Sequence, residues 1–208
     1  MGSHVKFIIR SSFNSRSPYS MRMLPVAAVA LSMPFAVAAH TIDLAVGDDA
    51  FRAAYEGDVA PAAGGMLRAD VGALHNEDDG DLIHLGLKVR GDAGGYTVGV
   101  EGALGATLYW AGIDDPDEDV SAVALTGELH VTPQDWDRVR LAFTLNYAPE
   151  VLTFGEGESL LDTAARLEYE VLQETRVYLG YRLARVELEQ GGDQDLHQGA
   201  QLGINITF

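Results

Sequence analysis

The chain has 208 residues, enough for one ordinary domain or one small barrel. It has no cysteine, which removes disulfide frameworks and thiolate metal sites. With 14 Lys+Arg against 31 Asp+Glu and a formal charge of −17, it would repel phosphate backbones, which argues against nucleic acid as a partner.

The chain opens with a basic stretch carrying Lys6, Arg10, Arg16 and Arg22 and no acid. An apolar run from Met23 to Ala39 follows, broken only by Pro25, Ser32 and Pro34, and it ends in Ala36-Val37-Ala38-Ala39. A positive start, a short apolar core and a small-residue exit are the parts of a secretory signal peptide. The run is shorter than the roughly 20 residues a spanning helix needs. Residues 1–39 therefore read as an N-terminal extension plus a removable leader, and 40–208 as the mature domain. Cleavage after Ala38 and after Ala39 both fit, and both Met1 and Met21 can serve as the start. Losing the four leader cations leaves the mature chain at −21.

Beyond His40 the recurring signal is period-2 alternation, in segments near 41–47, 50–57, 66–75, 82–90, 95–110, 120–131, 138–148, 163–172, 175–187 and 198–208. In the fourth, Ile83, Leu85, Leu87 and Val89 alternate with His84, Gly86, Lys88 and Arg90. In the ninth, Val177, Leu179, Tyr181 and Leu183 alternate with Arg176, Tyr178, Gly180 and Arg182. The last segment puts Leu202, Ile204, Ile206 and Phe208 on one parity and Gly203, Asn205 and Thr207 on the other. Strand side chains alternate between faces, so each segment has one apolar and one polar face.

The connections are asymmetric. Acidic loops follow odd strands, at 75–81, 112–119, 149–161 and 189–195, and compact turns follow even strands, at 61–65, 91–94, 132–137 and 172–175. Only the first hairpin, from Val46 to Phe51, departs from this by being tight. Long outer loops and short inner turns are the pattern of an outer-membrane barrel, and an even strand number puts both termini on the periplasmic side. The expected fold is all-β: an antiparallel, up-and-down transmembrane barrel of ten strands, or of eight if the first two are not full spans. A soluble sandwich is the competing architecture, since antiparallel sheets alternate too.

Lipid contact assigns the faces, because a charge facing the bilayer midplane costs about 2–4 kcal/mol. The polar parity, with Arg68, Asp70, Lys88, Glu101, Glu128, Arg140, Glu168 and Arg182, should then point into the lumen. Signs are mixed on that face, so pairing across the bore is expected.

The residues resemble the YfaZ-like outer-membrane protein family across the whole mature chain. The resemblance rests on Leu44–Asp49, Ala54-Tyr55-Glu56, the stretch Leu74–Asp81, Gly180-Tyr181-Arg182 and the glycine-containing last strand. It implies a leader-bearing barrel of the Gram-negative outer membrane and carries over no catalytic residue. The ending Gln201-x-Gly203-x-x-Ile206-x-Phe208 is similar to the C-terminal signal that outer-membrane barrels present to the assembly machinery. Lipid and lipopolysaccharide are the other expected partners.

Chemical motifs are sparse. Asp114, Asp115, Asp117 and Asp119 are weak metal candidates, able at most to gather Ca²⁺ or Mg²⁺ loosely, and no cofactor is expected. The histidines show no ligand spacing, and the mature chain has only Ser121 and Ser159 as serines. No enzyme is expected. Two functions remain open: a narrow, porin-like, cation-preferring channel with an acidic mouth, or a non-conducting structural or surface-interaction barrel with a charge-paired lumen. Paired charges at one height would favour the second, and single-sign rings the first.

Overall fold

In the computed structural model, residues 39–77, 79–94, 98–113, 118–188 and 192–208 are described; the leader reading of residues 1–38 lies outside them. Their strands are β1 (His40–Gly47), β2 (Ala50–Ala62), β3 (Gly65–Asn76), β4 (Gly80–Asp92), β5 (Val98–Ile113) and β6 (Glu118–Pro133). There follow β7 (Val139–Ala148), the short β8 (Thr153–Gly155), β9 (Gly157–Leu172), β10 (Thr175–Leu188) and β11 (Gly192–Thr207). Each long strand pairs antiparallel with its neighbours in sequence, and β1 pairs with β11 from Thr41↔Thr207 to Gly47↔Gln201. Among the described residues, ten strands thus close an antiparallel barrel, with β8 as a small addition along β6.

The start of β1, the end of β11 and the compact turns share one end, called here the terminal end. His40 N–H donates to the Phe208 carbonyl at 3.0 Å, and Phe208 N–H returns the bond to His40 at 2.8 Å. The other end, the far end, carries the longer connections. There the strands run further than the alternation suggests: β9 begins at Gly157 and β11 at Gly192, inside stretches read as loops from their acids. The link after β7 also holds a short 3-10 turn, Glu150–Leu152, and β8.

The extra strand length has a different polarity. Within the main span, outward side chains are large, apolar and exposed: Leu85 and Leu87 on β4, Leu125 and Leu129 on β6, Leu167 and Tyr169 on β9, Leu179 and Tyr181 on β10. Beyond it, outward positions become polar, as with Asp81, Asp119, Ser159, Arg185 and Glu187. The inward positions change the opposite way, to Leu82, Val120, Leu160, Val186 and Leu188. An apolar exterior suits lipid and an apolar interior suits water outside, so each wall crosses from one solvent to the other part-way along its strands.

Candidate functional site: a charged lumen beneath an apolar seal

The interior of the main span is built from the inward parity of every long strand. Glycine supplies room where large side chains need it. A Cβ on Gly203 would lie 2.2 Å from the Tyr178 ring, and one on Gly86 would lie 2.4 Å from Asp70 Oδ1. Both are positions where only hydrogen lets a neighbouring strand's side chain lie across the sheet.

Three clusters fill this space. Lys88 is at the centre of the first, with Nζ 2.5 Å from Glu56, 2.5 Å from Glu128 and 3.1 Å from Asp70. Arg90 bridges the same Glu56 and Glu128 at 3.0 and 2.5 Å, Arg68 reaches Glu56 at 2.5 Å, and His84 Nε2 lies 3.3 Å from Asp70. In the second, Asp43 accepts from Arg52 at 2.7 Å and from Arg166, Tyr178 and Asn205 at 2.8 Å each. The Arg166 guanidinium also lies 5.0 Å over the Tyr178 ring, within cation–π range. Arg140 holds the fully buried Glu168 at 2.6 Å and approaches Glu101, which is half-exposed at the terminal end. In the third, Asp162 accepts from Arg182 at 2.6 Å and from the Tyr109 hydroxyl at 2.8 Å.

These pairs occupy the low-dielectric interior, where an unpaired charge costs several kcal/mol and a pair with further hydrogen bonds offsets much of that cost. The clusters enclose a cavity of about 250 Å³, lined from Thr41, Thr207 and Arg176 at the terminal end up to Tyr109 and Asp162. Above Tyr109 the interior becomes mainly apolar and forms a seal, with Asn76 among its buried polar exceptions, donating to the Leu196 carbonyl at 3.0 Å. Tyr109, Leu82, Leu160, Leu196 and Val186 are each at most 2% exposed and belong to one apolar cluster with Leu74, Ile113, Val120 and Leu188.

Arg68, Asp70, Lys88, Glu101, Glu128, Arg140, Glu168 and Arg182 all line the lumen, but not as one group. The first cluster unites Arg68, Asp70, Lys88 and Glu128, Arg140 joins Glu168 and Glu101, and Arg182 stands nearer the seal with Asp162. Asp162 escaped the sequence reading because it falls between the expected loop and the expected strand, although it shares parity with Arg166 and Glu168. Tyr178 and Asn205 lie on the polar parity of their strands but carry no charge to single them out. His197, for which the sequence offers no ligand spacing, is 2% exposed on the inner side of β11. Asp114, Asp115 and Asp117 lie outside the described residues, and Asp119 is on the exposed exterior of β6. Among the described residues no group of His, Cys, Asp or Glu is arranged to hold a metal ion.

The YfaZ precursor family matches residues 21–208, almost all of the chain. The protein belongs to the YfaZ family. The family's description as a precursor entails a cleaved leader, and the YfaZ barrel, with its apolar outward band, is an outer-membrane protein. Among curated proteins none matches the sequence. Among solved structures the barrel is similar to OmpT of Vibrio cholerae, an outer-membrane protein folded in vitro and seen as a trimer. The two share 10% identity over 82% of this chain and 97% of that one, at a TM-score of 0.28.

Proposed function

We propose that this YfaZ protein is a non-conducting structural barrel that displays an acidic, polar surface at the cell exterior. The observation that carries the reading is the seal. An ion leaving the charged lumen toward the far end meets Tyr109, Leu82, Leu160, Leu196 and Val186 packed without exposure. Shedding water among these apolar side chains costs many times thermal energy. The lumen charges below add support, because they are paired at 2.5–3.1 Å with alternating sign rather than stacked in the single-sign rings that favour conduction.

The cation-channel reading draws on the acidic exterior, where Asp81, Asp119 and Asp193 are exposed. It needs a continuous polar path, and the seal interrupts that path. The reading assigns no catalysis: Ser159 faces outward and donates its hydroxyl to Glu187 at 2.6 Å. Membrane lipid would contact the apolar band. Lipopolysaccharide, with divalent cations between its phosphates and the acidic rim, would surround the far end. The Phe208 terminus would be read by the assembly machinery.

Planar-bilayer recording of the refolded barrel tests this. Folded protein, recognised by heat-modifiable gel mobility, should give no discrete openings. A Tyr109→Ala/Leu160→Ala variant, which empties the seal, should gain them. Discrete cation-selective openings of the parent would overturn the proposal.

A further inference from the structure

We propose that the leader is cut between Ala38 and Ala39, and that Asp58 holds the α-ammonium so created as a clasp at the terminal end of the barrel. The sequence alone leaves two bonds open, since Ala36-x-Ala38 and Val37-x-Ala39 both present small residues to a leader peptidase. The structure separates them. Ala39 is built into the wall: its N–H donates to Asp58 Oδ2 at 3.3 Å. Its carbonyl accepts from Asp58 N–H at 3.2 Å and from Arg68 Nη2 at 3.4 Å. The other Asp58 oxygen accepts from Arg68 Nε at 2.6 Å.

Asp58 is aimed at this point by a bulge in β2. Asp58 pairs with Arg68 and Ala60 with Leu67, so Val59 has no partner on β3 and stands 53% exposed. A bulge re-aims the side chains beside it. Here it turns Asp58 to meet the residue before the first rung of the β1–β2 ladder, His40↔Gly57.

Hydrolysis of the Ala38–Ala39 amide adds hydroxide from water to the Ala38 carbonyl carbon and the proton to the Ala39 nitrogen. The free amine, with an ordinary pKa of about 7.7–8.0, is largely protonated at neutral pH. The cut thus converts a neutral N–H donor into a cation on the same carboxylate, and charge-assisted bonds are roughly twice as strong as neutral ones. Asp58 has use for a second cation, because Arg68 also serves Glu56 at 2.5 Å. A cut one residue later would remove Ala39 and with it the partner of Asp58 N–H, Asp58 Oδ2 and Arg68 Nη2.

Two measurements test the two halves. Intact mass and N-terminal sequencing of the protein recovered from outer membranes of cells expressing the full chain should give a single start at Ala39. A start at His40, or a ragged mixture, would overturn the cut site. For the clasp, barrels are refolded from chains beginning at Ala39 or at His40, each with and without Asp58→Asn, and the heat-modification midpoint is read. The substitution should lower the midpoint by roughly 2–4 °C in the Ala39 chain. It should do less than half of that in the His40 chain and in an Ala39 chain whose amine is acetylated. Equal drops in all three would overturn the clasp even with the cut site correct.

Discussion

The main span and the far end of this barrel use the same strands and the same alternation, with the parities exchanged. On β10, Val177, Leu179 and Tyr181 point outward and Arg176, Tyr178 and Arg182 inward; a few residues on, Arg185 and Glu187 point outward and Ala184, Val186 and Leu188 inward. β10 keeps its own alternation through this change, while its ladder with β11 shifts by one residue between Ala184 and Arg185. What differs is the surroundings. Lipid demands an apolar exterior and leaves the polar residues to satisfy one another inside, whereas water demands the reverse. The level at which the parities exchange marks where the wall leaves the bilayer. It is also the level at which Asp162 and Tyr109 join the charged lumen to the apolar seal.

If the two regions are held by different forces, substitutions should separate them. Lys88→Met should have the largest effect, leaving Glu56, Asp70 and Glu128 in the interior without their shared cation. Breaking a buried pair from one side costs about 3–5 kcal/mol, read as a lower unfolding midpoint in urea. Next comes the exterior. Leu179→Arg, in the lipid band, should cost about 2–4 kcal/mol in folding from urea into vesicles. Glu187→Arg, eight positions along the same strand face but beyond the exchange, should stay within about 0.5 kcal/mol, as surface substitutions do. Equal penalties at the two sites would abolish the distinction between the regions. Between these two falls Gly203→Ala, whose methyl would press on the Tyr178 ring and loosen its bond to Asp43. Overpacking of this kind costs about 1–3 kcal/mol, and a shift in tyrosine absorbance should accompany it.

Much of the fold could be read from residues because two solvents act on each strand. Lipid on one side and a polar lumen on the other force strict alternation, so Leu85–Lys88 or Leu179–Arg182 declare both strand and face. The far end was less legible for the same reason. A reader who equates the apolar parity with the exterior starts strands only after Asp81, Asp119 or Ser159, and takes what precedes them for loop. The lumen residues were nameable from parity, but their partners were not. Lys88 meets Glu128 from 40 residues away, and that meeting depends on the registers of two ladders, β4–β5 and β5–β6, which bring the two side chains together across β5. Neutral contributors such as Tyr178 and Asn205 carry no charge to draw attention, although each holds Asp43 as closely as Arg166 does.

The pairing of Thr41 with Thr207 joins residues 166 apart in sequence. Loop closure over that distance makes the final seam a late and slow event in folding, and it requires the whole chain to have been delivered. Until then the sheet has two raw edges, each able to recruit another copy, so an unfinished barrel is an aggregation hazard rather than a smaller barrel. The seam is therefore also a checkpoint. A chain lacking its last residues does not merely lose Phe208 and a few hydrogen bonds; it never becomes a cylinder.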